Sequence, residues 1–296
     1  MSDLPIRRLT VTGVHRPTPR TARVTFALPP GGFALAGPDQ QVKLYFPRPG
    51  QDAPELPVPA PGQDLMSWYH ACHAVPEDRR PWMRSFTLRA HDAELHTVDV
   101  DFVLHGTAGT AGAPKAGGAG GPAAAWAAQA RPGQVLAMFG PSPEFARPFP
   151  LGGGLPLLFA CDESALPALG TLVEALPAGA RAHAWIEVAG PEEEQPLLGF
   201  GELTAHWVHR GDATHGARLL AALRTAELPP APGPAWLAGE ATTVRALRRH
   251  LIEDRRLPRP TVRSTGYWRT RLTQDDAPTP EDLADAQETL RQLQGN

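Results

Sequence analysis

Apolar and polar residues alternate in short runs through the first half of the chain, and the style changes near residue 150. Segments 9–14, 20–26 and 41–46 show partial period-two alternation between turn-rich flanks, which predicts strands. Segments 84–89 and 97–104 continue the style, and 135–139 closes it before Gly140 and Pro141. Several short strands separated by turns predict an antiparallel barrel or sandwich. Only 123–130 reads as helix there, with Pro122 suited to its first turn.

Beyond residue 155 the pattern becomes strand then helix. Runs 155–160, 182–188, 206–208 and 235–238 read as strands, and 165–176, 219–226 and 241–255 as helices. Such alternation predicts a mostly parallel sheet with helices on its faces. Thr279-Pro280-Glu281-Asp282 is a helix start, with Leu283, Ala286, Leu290 and Leu293 on one stripe. Two regions carry no periodicity: 47–61 is Pro-rich and reads as a surface loop, and 107–121 is almost wholly Gly and Ala. The Pro/Gly-rich stretch 141–156 divides the chain. The expected units are 1–147, 152–272 and a tail helix over 279–294.

Composition narrows the function classes. A formal charge of −3 gives no global basic field for nucleic acid or anionic lipid. No apolar run is long enough to span a bilayer, and no secretion signal follows Met1–Arg8, so a cytoplasmic protein is expected. Two cysteines, Cys72 and Cys161, are too few for an iron–sulfur cluster or a four-thiolate zinc site. The histidines show no metal-ligand spacing, and no nucleophile–base arrangement is recoverable.

Three segments carry candidate chemistry. Alternation along 84–89 puts Arg84, Phe86 and Leu88 on one strand face, a cation beside a flat ring, with Ser85 and Thr87 between. Asp101, Val103 and His105 share a face of the next strand, which ends in Gly106. Gly121, Pro122, Ala123 and Ala124 open a helix that carries Trp126, and its first-turn N–H groups suit phosphate. A ring platform, a cation and free N–H groups are what a flavin dinucleotide needs. The same residues also fit an ordinary barrel strand, a structural histidine and a plain Ala-rich helix.

In the second half the G-x-G-x-x-G fingerprint is absent. Asp162, Glu163 and Ser164 follow the first strand, and Gly239 and Glu240 follow another, where open α/β sheets bind ligands. Asp162 or Ser164 as a simple helix cap is the other reading.

The chain resembles the siderophore-interacting protein family, including ferric-siderophore reductases of the vibriobactin-utilisation type. The likeness runs through Val42-Lys43-Leu44, the 84–89 strand, Val100 to Gly106, Gly121 to Ala127, Asp162 to Pro167, Ala238 to Ala241 and Gly266-Tyr267-Trp268-Arg269. It implies an FAD-binding Greek-key barrel of the ferredoxin-reductase type followed by an α/β nucleotide domain. It also implies Asp162, Glu163, Ser164, Gly239 and Glu240 at the nicotinamide site, and Tyr267 with Trp268 covering the flavin. Lys43, Arg245 and Arg249 become candidate cations for an anionic ferric complex, with Arg248 beside them. Relatives usually carry Tyr at Phe86, Ser at Ala124 and a basic residue at Ser142, and they lack the Gly/Ala insertion.

The activity implied is FAD-dependent reduction of a ferric siderophore in a monomer, with NAD(P)H or ferredoxin as donor. The flavin carries the chemistry, and no catalytic side chain or protein-bound metal is expected. The alternatives are a general flavin or ferredoxin-type reductase, and a flavoprotein that binds ferric siderophore without reducing it.

Overall fold

The computed structural model describes residues 4–29, 33–105, 121–142, 148–270, 272, 276–284 and 287. Gly106, the insertion through Gly120 and most of the expected tail helix lie outside them.

The first sheet contains β1 (Ile6–Thr18), β2 (Thr21–Ala27), β3 (Gln41–Phe46), β4 (Trp82–Thr87), β5 (Ala90–Asp92), β6 (Thr97–Val103) and β7 (Val135–Phe139). Their order is β4-β3-β7-β1-β2-β6-β5, antiparallel throughout. One run of chain, 82–92, closes the sheet on itself. Its first part pairs with β3, and Leu88 N–H still reaches the Gln40 carbonyl there. One residue later Arg89 N–H donates to Asp99 on β6. Alternation turns Leu9, Val24, Phe26, Leu44, Val100 and Phe102 inward, all essentially unexposed.

Two elements here were not read from the sequence. Helix α1 (Leu65–Ala74) follows the Pro-rich loop, capped by Asp64, whose carboxylate accepts the Ser67 N–H. It lays Trp68 and Cys72, one turn apart, over the outer face of β3 and β7 against Tyr45, Ala137 and Phe139. Those strands are therefore covered on both faces, which is why β7 reads as an unbroken apolar run. The short β5 was the other omission. Helix α2 (Gly121–Ala128) starts two residues before the expected point, with Pro122 inside its first turn.

The second sheet is parallel: β8 (Leu157–Asp162), β9 (Arg181–Val188), β10 (Glu202–His209), β11 (Ala235–Glu240) and β12 (Val262–Trp268), in the order β10-β9-β8-β11-β12. Every residue of β8 and β11 is buried, as a sheet covered on both faces requires. Helix α3 (Leu166–Glu174) covers one face, meeting Phe159, Cys161 and Ile186. Helices α4 (Ala217–Thr225) and α5 (Ala241–Arg249) cover the other, with α5 burying Val244 and Leu247 and running on into a π-helical turn, His250–Asp254. Strand β12, unrecognised in the sequence, completes this sheet.

Direct bonds join the two sheets. Tyr267 OH donates to Asp39 Oδ1 at 2.6 Å, and Asp39 N–H donates to Thr171 Oγ1 on α3 at 2.9 Å. Arg89 pairs with Glu174 at 2.7 Å, and the buried Glu193 carboxylate accepts from Thr18 Oγ1 and Arg20 N–H. The carboxyl ends of β8, β11 and β12 are thus set against the open side of the barrel.

Candidate functional site

A cavity of about 770 Å³ lies where the barrel meets the parallel sheet. Pockets that take cofactor-sized ligands run from about 300 to 1,000 Å³. Its barrel wall includes Arg84, Ser85, Phe86 and Thr87 of β4, Asp101 and Val103 of β6, His105 beyond it, and Gly121 to Ala124 of α2. The opposite wall includes Ser164, His215, Tyr267, Trp268 and Arg269.

The barrel wall has an aromatic floor. Phe86 meets Phe102 with ring centroids 4.7 Å apart, and Phe46 meets both edge-on at 6.0 and 6.2 Å. Trp126 packs beneath these rings in the barrel core and does not line the cavity, so its expected contact role is corrected. Asp101 lines the cavity but is held in a two-point ion pair by Arg23, at 2.7 and 2.8 Å. That bonding keeps a carboxylate at the wall engaged with a cation of its own. Lys43 Nζ donates to Ser85 Oγ across the β3–β4 ladder, and both residues line the cavity.

The sheet wall is built at the carboxyl ends of the strands. Asp162, the last residue of β8, is 4 % exposed and collects four donors. Ser164 N–H and Oγ–H reach Oδ1 at 2.9 and 2.5 Å, while Glu240 N–H and Trp268 Nε1–H reach Oδ2 at 2.7 and 2.9 Å. Burial, with Glu163 alongside, pushes its carboxyl up from 3.8 to about 6 despite these donors. Asp162 therefore ties three strand ends together, and neither it nor Ser164 caps α3, whose N-terminal Ala165 carries no side-chain cap.

This knot explains Gly239. A Cβ there would sit 2.5 Å from Asp162 Oδ2, and φ of +140° suits only glycine. Glu240 instead caps α5, accepting the Thr243 N–H at 2.8 Å. Neither Gly239 nor Glu240 lines the cavity; they set the position of what does.

Glu163 points the other way, to Arg210 at 2.8 Å, and Arg210 lies 3.6 Å from the fully buried Glu187. Burial alone would raise the Glu163 carboxyl, but Arg210 outweighs it and holds it below the usual glutamate range. Glu187 accepts Gly216 N–H and Leu219 N–H at the start of α4. That bonding fixes the turn bearing His215. Trp268 then packs against two imidazoles, with centroids 5.8 Å from His105 and 4.9 Å from His215, and the two imidazoles are 6.3 Å from each other. Burial holds both histidines below the ordinary imidazole value, and Arg210 reinforces this.

Tyr267 does not behave as the expected movable cover. Its hydroxyl is fixed to Asp39 and also exchanges hydrogen bonds with Thr87 and Gln41. Of the expected substrate cations, Lys43 lines the cavity. Arg245 pairs instead with Asp282 at 2.7 Å and Arg249 is exposed elsewhere on α5.

Arg23, Arg210, His215 and Arg269 were not anticipated. His215 had one legible signal, a His-Gly pair after a strand and before a helix. The arginine pairings join residues far apart in sequence and leave no local trace.

An antiparallel barrel carrying an aromatic floor and a helix N-terminus, joined to a five-stranded parallel sheet whose strand ends face it, defines a two-domain flavin–nucleotide oxidoreductase fold of the ferredoxin-reductase type. The comparisons make this specific. Residues 10–145 match the siderophore-interacting FAD-binding domain and 156–271 the siderophore-interacting protein domain, so the chain belongs to the siderophore-interacting protein family. It is 28 % identical to an NADPH-dependent ferric-chelate reductase of Escherichia coli, over 90 % of this chain and 94 % of that one. It is 26 % identical to the ferric vibriobactin reductase of Vibrio cholerae, over 80 % and 79 %. A siderophore utilization protein from T. fusca superposes with a TM-score of 0.74 at 32 % identity, covering 93 % of this chain and 97 % of the other.

Proposed function

We propose that this chain is an FAD-dependent ferric-siderophore reductase, taking electrons from NAD(P)H or a reduced ferredoxin and releasing ferrous iron in the cytoplasm. The carrying observation is a cavity bounded by both walls. Arg84 and the aromatic floor stand on one side, and the tethered Trp268 and Ser164 on the other. The relatives named as ferric-chelate and ferric vibriobactin reductases support the reaction.

The residues fit the group. Phe86, backed by Phe46 and Phe102, offers a flat apolar platform for a ring system. Arg84 and the first-turn N–H groups of α2 suit a diphosphate. The Ala124 side chain adds no hydroxyl to that set. When bound, FAD accepts electrons in pairs and releases them singly.

The chain's own work is to hold, cover and admit. Asp162 pins the indole of Trp268 at the cavity wall. Lys43 presents a cation at the barrel rim, positioned through Ser85. Hard oxygen donors favour ferric over ferrous iron, so reduction loosens the complex without any nucleophile or general acid. One chain supplies both walls, consistent with a monomer.

Purified protein should be yellow, and a ferrous chelator should colour when donor and ferric siderophore are both supplied. A bound flavin that stays oxidised with every donor would remove the reductase and leave a carrier. Faster turnover with free flavin than with any ferric siderophore would instead favour a general flavin reductase.

A further inference from the structure

Beyond β12 the chain returns to the cavity rim. Every described residue from 276 to 284 is exposed or half-buried, and Leu283 is 52 % exposed, so no buried apolar side chain anchors this stretch among the described residues. Ionic bonds hold it. Asp282 Oδ1 accepts from Arg245 Nη2 and Oδ2 from Arg269 Nη1, each at 2.7 Å. A reciprocal pair between Asp282 and Thr279 aims the carboxylate: Thr279 N–H reaches Oδ2 at 2.9 Å, and Asp282 N–H reaches Thr279 Oγ1 at 3.2 Å. Slight burial would raise this carboxyl, but the Thr279 and Arg269 donors hold it below the usual aspartate range, so it stays ionised. Arg269, Thr270 and Leu272 line the cavity.

A carboxylate bridging two guanidinium groups, one of them the cavity-lining Arg269, is what an anionic ligand would meet. We infer that Asp282 is an intramolecular competitor: it fills the Arg245–Arg269 site, and an anionic ferric complex must displace it to bind. The inference rests on the reading of the cavity as the receiver of a ferric complex. It makes Asp282 a specificity determinant. A highly charged complex can replace it, whereas an uncharged complex offers the arginines nothing in exchange. The tail is suited to yielding, because its ion pairs are only partly buried and no buried apolar side chain among the described residues backs them, which leaves them weak and sensitive to salt.

The test compares wild-type holoprotein with Asp282→Asn, using ferric enterobactin as a trianionic probe and ferrichrome as an uncharged one. Binding is read by quenching of tryptophan fluorescence, and turnover by kcat and KM. In Asp282→Asn the Kd and KM for ferric enterobactin should fall about three- to tenfold, with kcat and the ferrichrome values little changed. Glu281→Gln, which removes the neighbouring charge without touching either arginine, should match wild type. A chain ending at Ala277 should behave as Asp282→Asn does, which covers the case of a variant with a disturbed tail. Unchanged affinity for ferric enterobactin in both Asp282→Asn and the shortened chain would overturn the competitor role and leave the reductase reading intact. Equal gains for both probes would also overturn it. Failure of every protein, wild type included, to bind any ferric complex would overturn the reductase reading and this inference with it.

Discussion

The two walls of the cavity are made differently. The barrel wall is local: residues 84–87 and 101–103 sit on two strands, and their ladders place them with little outside help. The sheet wall is assembled from afar. Asp162 gathers Ser164, Glu240 and Trp268, and Glu163 and Glu187 gather Arg210 and the start of α4. Charge follows the same division. At the barrel wall Arg23 already holds Asp101, and Arg84 and Lys43 face the cavity. The sheet wall presents the Trp268 indole and the His215 imidazole, with His105 of the barrel wall against the same indole, while its carboxylates are turned into the knot. On the proposed function, the first wall holds the flavin and the second receives the electron donor.

If so, substitutions on the two sides should separate flavin retention from stability. The largest effect is expected at Gly239→Ala. Its Cβ would press on a buried carboxylate oxygen from a strained backbone, costing about 3 kcal/mol or more. The denaturation midpoint should fall well below wild type. Wild-type stability would show that the knot has slack.

Asp162 should leave a signature in pH. Its folded value, about 6, lies above its ordinary 3.8, so the folded state holds that proton more tightly. The resulting stabilisation is complete below pH 3.8 and is lost as pH rises through about 6. The upper bound is about 3 kcal/mol. The stability difference between wild type and Asp162→Asn, followed by denaturant unfolding, should therefore shrink between pH 4 and 6 and level off above. A flat difference would mean that the carboxyl titrates normally.

On the barrel wall, Arg84→Ala should weaken FAD binding by about ten- to a hundredfold, the worth of a charge-assisted contact, with little change in stability. Equal FAD affinity would move the diphosphate away from β4. The smallest effect is expected for Phe86→Tyr, which restores a phenol to the platform. It should tighten FAD binding by no more than about 1 kcal/mol. Weaker binding would show that the ring edge faces apolar neighbours only.

The same division decided what could be read from sequence. Period-two alternation exposed the barrel strands, and the Arg84 to Thr87 and Asp101 to His105 segments declared themselves because their partners are adjacent strands. Trp126 was misjudged because a helix start predicts exposed N–H groups but not which side chains turn inward. Helix α1 follows a Pro-rich stretch and is too weakly amphipathic to stand out, although Asp64, Trp68 and Cys72 carry a cap and one-turn spacing. On the sheet wall the strand-end positions of Asp162 and Gly239 were legible. Their bonds to one another were not, because a hydrogen bond spanning 78 residues leaves no periodicity. Tyr267 and Trp268 look alike as neighbours and both line the cavity, yet Tyr267 is tied to Asp39 across the domain seam and Trp268 to Asp162 at the end of β8.

Anaerobic stopped-flow absorbance of the purified holoprotein tests the central claim most directly. Mixing with NADPH, NADH or reduced ferredoxin should bleach the bound flavin with at least one donor. A second mix with ferric siderophore should restore its colour as ferrous iron appears in a trapping chelator. Protein that is colourless and takes up no added FAD, or a bleached flavin that ferric siderophore does not reoxidise, would contradict the account.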